Sequence, residues 1–217
     1  MTAGEYQQLI GAPRYTLGLD LGQAQDYTAL CVLEARGEGD AAEYQCRALK
    51  RWELMTSYPT IVSDLALMLR RAPFSANHPH LGVDTTGVGR AVWDMLRQAN
   101  LTANLRSITI HAGVEVTRAG AGFGVPKRDL VSAVQVVLQT RRLKFVPSLP
   151  EAETIKQELA NFRIKLSASG HDTYNAATGE GLSWREAPHD DLVLALAVAL
   201  WLDQRPRVSF GRTIGII

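Results

Sequence analysis

Two short stretches of this chain repeat one pattern, in which an apolar residue, a glycine, a second apolar residue and an aspartate follow each other. The first is LGLD at residues 17–20 and the second is LGVD at residues 81–84. Because alternate side chains of a strand point to opposite faces, each pattern predicts a buried strand that ends in a carboxylate, Asp20 or Asp84. If the strands are parallel neighbours about 4.8 Å apart, the two carboxylates raise each other's pKa unless a cation separates them. The repeat therefore predicts a divalent metal site, whereas either stretch alone also fits a strand-end aspartate facing water.

A third acidic site lies near the end of the chain. Asp190 and Asp191 open a predicted helix at residues 189–204, whose sequence is apolar on all sides and is therefore typical of a buried helix. Asp191 shares its helix face with small residues, and Gly18 and Gly82 offer a matching bare surface on the strands. We expect Asp191 to face the strand-end carboxylates and Asp190 to lie at the rim, with helix capping as the alternative role for Asp190.

The remaining segments predict a mixed α/β sheet with flanking helices. Five strands are expected, at residues 15–22, 27–35, 43–54, 81–85 and 104–111. Helices are expected at residues 58–71, 87–98, 127–140, 150–161 and 189–204, with a mobile loop at 112–126, a short extended piece at 143–146 and an extra β-hairpin formed by 162–169 and 171–177. Short turns make the first three strands an antiparallel meander, and helical crossovers make the later strands parallel, which gives the strand order 3-2-1-4-5. Ligands bind at the carboxyl ends of the central strands in such sheets, where Asp20 and Asp84 fall.

The size and composition fit one domain with no membrane span. The chain has 217 residues and a net charge of +1, so nucleic-acid binding would need a local basic surface. Residues 1–14 are expected to form a polar lead-in, residues 15–204 the domain, and residues 205–217 a tail. The 2 cysteines fit a reducing compartment, and no signal peptide is visible. The longest apolar run, residues 192–202, is too short to cross a bilayer, so a cytosolic protein is expected.

The order and spacing of these motifs resemble the ribonuclease H-like nucleases, which carry an acid on the first strand, on the fourth strand and at a late helix. Within that superfamily the chain resembles the nuclease domain of the large terminase of tailed phages, over nearly the whole chain after residue 14. The matching segments are LGLDLGQAQDYTAL (17–30), LGVDTTGVGR (81–90), VPKRDLVSAVQVVL (125–138), LANFRIK (159–165) and HDDLVLALA (189–197).

The resemblance implies metal-dependent endonucleolytic cleavage of double-stranded DNA during genome packaging. Asp20, Asp84 and Asp191 would take the catalytic, metal-binding positions, and Asp190 would be an auxiliary metal ligand. Two Mg²⁺ or Mn²⁺ ions, about 3.5–4 Å apart, would bridge the scissile phosphate, with Asp20 on the central strand as the bridging ligand.

The resemblance also implies partners and a place of action. The partners are double-stranded DNA, a terminase ATPase motor domain, the small terminase subunit and the portal, and the place is the cytoplasm of the host cell. No phosphate-loop motif of the form GxxxxGKS or GxxxxGKT occurs in the chain. We therefore expect an isolated nuclease domain or a stand-alone relative, which would not translocate DNA by itself.

Clusters of basic residues are candidates for contacts with DNA phosphates, although each also fits an ordinary solvated surface. The predicted DNA-binding residues are Lys127, Arg128, Arg163 and Lys165, and a further cluster comprises Arg141, Arg142 and Lys144. The hairpin around Gly170 and the loop at residues 178–187 precede Asp190, and we expect them to border the DNA groove.

Two residues near the acids receive subordinate roles. His189 is interpreted as an auxiliary residue that orients Asp190 or the substrate phosphate, because a histidine beside acids is usually a hydrogen-bond partner. Asp26 follows the first strand and is interpreted as a turn residue, with a metal-proximal role as the alternative.

Three other functions stay open from the sequence. A Holliday-junction resolvase of the same superfamily would use the same acids as a dimer on branched DNA. An actin-like ATP-binding lobe shares the LGLDLG pattern at residues 17–22, although such proteins need two lobes and ATP binding would have to be found. A non-catalytic scaffold that binds DNA would show no cleavage with Mn²⁺, which the presence of all three acids disfavours.

Overall fold

A central sheet of eight strands dominates the computed structural model, which describes residues 12–22, 26–87, 89–146, 148–166, 172–176 and 190–205. Its strands are β1 (Arg14–Asp20), β2 (Ala29–Arg36), β3 (Glu43–Arg51), β4 (His80–Asp84), β5 (Asn104–His111), β6 (Thr117–Ala119), β7 (Gly122–Pro126) and β8 (Leu143–Phe145). They follow the spatial order β6-β7-β5-β4-β1-β2-β3-β8. Two further strands, β9 (Phe162–Leu166) and β10 (Asp172–Ala176), pair antiparallel as the predicted hairpin, whose turn around Gly170 lies outside the described residues.

The predicted strand order 3-2-1-4-5 is confirmed as the middle of this sheet. β1 pairs antiparallel with β2 and parallel with β4, and β4 pairs parallel with β5. In the parallel pair Gly18 lies opposite Gly82, so that Asp20 and Asp84 end the two strands side by side. The shared register that the repeated motif predicts is therefore present.

The sheet extends beyond the five predicted strands at both edges. The mobile loop expected at residues 112–126 is wrong for most of its length, because β6 and β7 lie there and β7 pairs with β5. The glycines of this segment allow neighbouring strands to approach closely, since a Cβ atom at Gly122 would collide with the hydroxyl of Ser107. At the other edge the short extended piece forms β8, which pairs with β3.

Helices cover both faces of the sheet. They are α1 (Tyr58–Leu69), α2 (Phe74–Asn77), α3 (Gly89–Gln98), α4 (Lys127–Gln139), α5 (Ala152–Asn161) and α6 (Asp191–Asp203), with a 3₁₀ turn at Gly39–Ala41. The predicted helices are present with their ends shifted by a few residues, and α2 is an additional short one. None of the helices in the described part of the chain is long and apolar enough to span a membrane.

Two apolar layers enclose the sheet. On one face Leu17 and Leu19 of β1 belong to a buried cluster that also includes residues of α1 and α3. On the other face α4 and α6 form a second cluster with residues of β2 and β3. Alternate residues of β1 therefore serve different layers, as expected for a strand in the centre of a sheet.

Helix α6 lies directly against the bare face of β1 and β4. All of its residues except Leu194 are buried, which confirms the interpretation of its apolar sequence. A Cβ atom at Gly18 would collide with the carbonyl oxygen of Ala195 and would lie 2.8 Å from the backbone nitrogen of Ala199. The small residues of α6 and the glycines of the strands thus produce the close approach that their sequence predicts.

Hydrogen bonds at the C-terminal end of α6 show in which direction the helix runs relative to β1. The Asp203 carboxylate accepts a hydrogen bond from Thr16 Oγ1 at 2.9 Å and one from Arg14 Nη2 at 3.0 Å. Because Arg14 and Thr16 lie at the start of β1, α6 runs antiparallel to β1. Asp191, at the start of the helix, is therefore at the edge of the sheet where β1 ends in Asp20.

Candidate metal centre

Asp20 and Asp84 occupy the carboxyl ends of two parallel strands at the centre of the sheet. Asp20 is half-buried, and Asp84 is 6% exposed. The backbone N–H of Thr86 donates a hydrogen bond to Asp84 Oδ1 at 2.8 Å, which orients that carboxylate in the turn after β4. Both side chains are therefore presented at one edge of the sheet, where α/β proteins bind ligands.

Asp191 is the first residue of α6 and is 5% exposed. Its carboxylate accepts a hydrogen bond from the backbone of Tyr27, which lies in the segment between β1 and β2. Asp190 occupies the N-cap position, but its side chain makes no capping hydrogen bond in the described part of the chain. The capping alternative for Asp190 therefore receives no support, and its carboxylate is half-buried at the rim.

The pKa values of these carboxyl groups show that they share one electrostatic environment. Burial raises the pKa of Asp20 well above its usual range, and the charges of Asp84, Asp191 and Asp190 raise it further. Burial and the charges of Asp190 and Asp26 raise the pKa of Asp191 to about 7. Burial also raises the pKa of Asp84, against the hydrogen bonds from Thr86 and the charge of Lys127. The charges of Asp84 and Asp191 thus both act on Asp20, which lies close to each of them.

The donors at this edge suit a hard divalent cation. Every candidate ligand is a carboxylate, and Mg²⁺ and Mn²⁺ prefer oxygen ligands. Within the described residues, however, no three His, Cys, Asp or Glu side chains are already arranged around one point as a ready-made metal site. Burial and the neighbouring acids both raise the pKa of Asp20, and a bound cation would offset both effects. The chemistry of the set therefore fits metal binding, although the side chains must adjust to it.

Three residues at the site were not predicted as functional or were given a lesser role. Asp26 was interpreted as a turn residue, yet its charge acts on both Asp20 and Asp191. Glu158 on α5 is 4% exposed, and burial, together with the charge of Asp191, raises its pKa to about 7. Arg51 ends β3, and its guanidinium lies 3.5 Å from the Glu158 carboxylate. Asp26 could have been found from its closeness to Asp20 in sequence, but nothing local marks Glu158 or Arg51.

The predicted DNA-binding residues fall into three groups. Lys127 begins α4 after β7, which is parallel to β5, and its charge acts on Asp84, so it lies at the acidic edge. Arg128 follows it and donates a hydrogen bond to the carbonyl of Val114 at 2.8 Å. Arg163 and Lys165 lie on β9, whose side chains are not among those described.

The remaining predicted residues are either distant or not described. Arg142 donates a hydrogen bond to the carbonyl of Ala42, and Lys144 pairs with Glu43 at 3.5 Å. Because Glu43 begins β3 and β3 ends at the acidic edge, this cluster lies at the opposite edge of the sheet. His189 and the loop at residues 178–187 lie outside the described residues, so their expected roles stay predictions.

The fold and the acidic edge define an α/β domain of the ribonuclease H-like class. The family model for the terminase RNaseH-like domain matches residues 17–202. The chain therefore belongs to the family of terminase RNaseH-like domains, as its motifs predict.

Two curated relatives and several solved structures support this assignment. The large terminase subunits of Thermus phage G20c and Thermus virus P23-45 are each 28% identical to this chain over 185 residues, covering 85% of this chain. The chain spans 31% of the length of these relatives. The crystal structure of the large terminase nuclease from thermophilic phage G20c is 25% identical, with a TM-score of 0.57, and the match covers 86% of this chain and 81% of that one.

A more distant match supports the fold alone. The nuclease domain of the g2p large terminase from bacteriophage SPP1, solved with bound Mn, is 11% identical, with a TM-score of 0.52. The match covers 94% of this chain and 92% of that chain.

The G20c nuclease has also been solved with bound magnesium, in a structure that is 25% identical and has a TM-score of 0.57.

Proposed function

We propose that this chain is a metal-dependent endonuclease that cleaves double-stranded DNA by hydrolysis of phosphodiester bonds. One observation carries the proposal: Asp20, Asp84 and Asp191 come from three separate elements, and the charges of Asp84 and Asp191 both act on Asp20 at one edge of the sheet. Three such carboxylates are costly to keep together without a cation. Membership of the terminase family, whose G20c nuclease has been solved with magnesium, supports the same chemistry.

The residues present would divide the work as follows. Asp20, Asp84 and Asp191 would hold divalent cations, with Asp20 between the other two and Asp190 as an auxiliary ligand at the rim. When bound, two Mg²⁺ or Mn²⁺ ions would activate the attacking water and stabilise the leaving 3′ oxygen. Asp26 would add a further carboxylate close to Asp20 and Asp191.

Basic side chains would neutralise the DNA backbone next to the acids. Lys127 is the best placed of these, because it begins a helix beside Asp84. Arg128 would act beside it and would also hold the β5–β6 connection through Val114. Arg163, Lys165 and His189 keep their predicted roles in binding DNA and orienting the phosphate.

The biological setting is a further part of the proposal. The relatives are large terminase subunits about three times as long as the matched region, which supports a role in phage genome packaging beside an ATPase motor. The proposed partners are double-stranded DNA, that motor domain, the small terminase subunit and the portal. The proposed place of action is the cytoplasm of the infected host cell.

A plasmid-nicking assay tests the activity. The wild-type chain should convert supercoiled plasmid to nicked and linear forms with Mn²⁺, and Asp20→Asn should abolish the conversion. Asp94→Asn is the matched control, because the Asp94 side chain lies on α3, is 47% exposed and pairs with Arg97 at 4.0 Å. Absence of Mn²⁺-dependent cleavage by the wild type would contradict the proposal, and cleavage restricted to four-way junctions would favour a resolvase instead.

A further inference from the structure

Glu158 reaches from α5 to the first turn of α6. Its Oε2 atom accepts hydrogen bonds from the backbone N–H groups of Leu192 at 2.9 Å and Val193 at 3.0 Å. These are the two residues directly after Asp191, and the first N–H groups of a helix have no partner within the helix. Since Asp190 makes no capping bond in the described part of the chain, Glu158, which precedes Leu192 by 34 positions, supplies the cap.

Arg51 forms an ion pair with the other oxygen of this carboxylate. Its Nη1 atom lies 3.5 Å from Glu158 Oε1, and its guanidinium stacks over the ring of Tyr27 at 4.2 Å. The backbone of Tyr27 in turn donates a hydrogen bond to Asp191. Arg51 of β3, Glu158 of α5 and Tyr27 of the β1–β2 connection thus form one set of contacts at the start of α6.

This arrangement is hard to explain as a device for stability alone. A buried ion pair is often no more stabilising than apolar residues of similar volume, because both charges must leave water. Glu158 also places a second buried carboxylate close to Asp191, whose charge opposes it. Its contacts are instead directed to the backbone that carries Asp191, which is what orienting a ligand requires.

We propose that Glu158 is a positioning residue that fixes the first turn of α6 through its two backbone hydrogen bonds and thereby aims the Asp191 carboxylate at Asp20 and Asp84. The inference rests on the proposed function, in which Asp191 is a metal ligand. Groups that orient metal ligands commonly change metal affinity by 10–100-fold when they are removed.

Two substitutions separate positioning from simple charge. Glu158→Gln keeps the length of the side chain, and its amide oxygen can accept both N–H bonds, but it loses the charge. Glu158→Asp keeps the charge but is one methylene too short to reach both N–H groups. Glu153→Gln and Glu153→Asp are the matched controls on the same helix, since the Glu153 side chain is 78% exposed and contacts only Lys156 at 3.4 Å among the described residues.

Binding of Mn²⁺ to each variant, measured by titration calorimetry without DNA, is the main readout. Glu158→Asp should weaken Mn²⁺ binding about tenfold, the lower end of that range, whereas Glu158→Gln should stay close to the wild type. Amide hydrogen exchange should accelerate at Leu192 and Val193 in Glu158→Asp but not in Glu158→Gln. The Mn²⁺ concentration for half-maximal plasmid nicking should follow the same order.

The inference is overturned if Glu158→Gln binds Mn²⁺ more weakly than Glu158→Asp, or if both bind it like the wild type while only the melting temperature falls. A wild-type chain that binds Mn²⁺ but cleaves no DNA would contradict the proposed nuclease function. The order of the two variants in the calorimetry and exchange experiments would still decide the role of Glu158.

Discussion

Gly18 of β1 lies against the carbonyl oxygen of Ala195 in α6, with no room between them for a single methyl group. This contact sets the distance between the central strand and the helix that carries Asp191. Because Asp20 follows Gly18 by two residues, the same contact sets the depth at which the acids meet. The packing of the core at Gly18 thus also determines the geometry of the candidate metal centre.

Gly18→Ala should therefore destabilise the protein and displace α6. Overpacking a filled core costs about 1–3 kcal/mol in unfolding free energy, which urea denaturation with tryptophan fluorescence can measure. Gly39→Ala is the comparison, because no atom of the described residues lies within 4 Å of a Cβ atom there, although its φ of 56° opposes alanine. A wild-type free energy of unfolding for Gly18→Ala would contradict the close contact.

Asp20→Asn should stabilise the protein in a chelator while it abolishes cleavage. The pKa of Asp20 is raised by burial and by its acidic neighbours, so removal of its charge relieves an unfavourable interaction in the folded state at neutral pH. A gain of 1 kcal/mol would raise the melting temperature by about 2–4 °C in a chain of this size. A lower melting temperature in the chelator, measured by differential scanning calorimetry, would contradict this explanation.

The stability of the metal-free protein should fall as pH rises from about 4 to about 7. Asp191 and Glu158 both have folded-state pKa values of about 7, above those of unfolded Asp and Glu, so the folded state binds more protons across this interval. Stability decreases with pH wherever the folded state holds the extra protons, and it should level off above pH 7.

Urea denaturation in a chelator at several pH values measures this dependence. Asp191→Asn should flatten the curve, because one of the two groups no longer titrates. Added Mn²⁺ should restore stability at high pH, since metals bind the deprotonated carboxylates. Stability that rises between pH 4 and pH 7 in the chelator would be inconsistent with the raised pKa values.

Lys127→Gln should weaken DNA binding independently of sequence. Lys127 acts on Asp84 and begins α4 at the acidic edge, so a phosphate bound there would lie within its reach. Loss of one phosphate contact should reduce the slope of log affinity against log salt by about 1. Lys144→Gln is the control, because Lys144 pairs with Glu43 at the opposite edge of the sheet, and an equal effect of both changes would contradict this assignment.

Local patterns were sufficient to predict the central strands and three of the acids. Each of the LGLD and LGVD stretches predicts a strand, the face on which its residues lie and the carboxylate that ends it. The apolar sequence of α6 predicts that the helix carrying Asp191 is buried. The predicted order of the five central strands followed from turn lengths and crossovers, and it is present in the structure.

Features that depend on distant partners could not be predicted in this way. Gly122 and Gly124 fit a mobile loop by their local chemistry, but both lie in β7, where a Cβ atom at Gly122 would collide with the hydroxyl of Ser107. Glu158 resembles any polar residue of an amphipathic helix until α6 is placed beside it. Its role depends on a contact across 34 residues, which no local pattern contains.

Helix α6 is tied to the sheet at its two ends, through Asp203 to Thr16 and through the capped turn beside Asp191 to Glu158. The length of this helix therefore determines the distance between Asp191 and the start of β1, and the surface loops do not. Insertions or deletions in the surface connections should therefore leave that span unchanged. One residue added to or removed from α6 would rotate Asp191 by about 100° around the helix axis and turn its carboxylate away from Asp20.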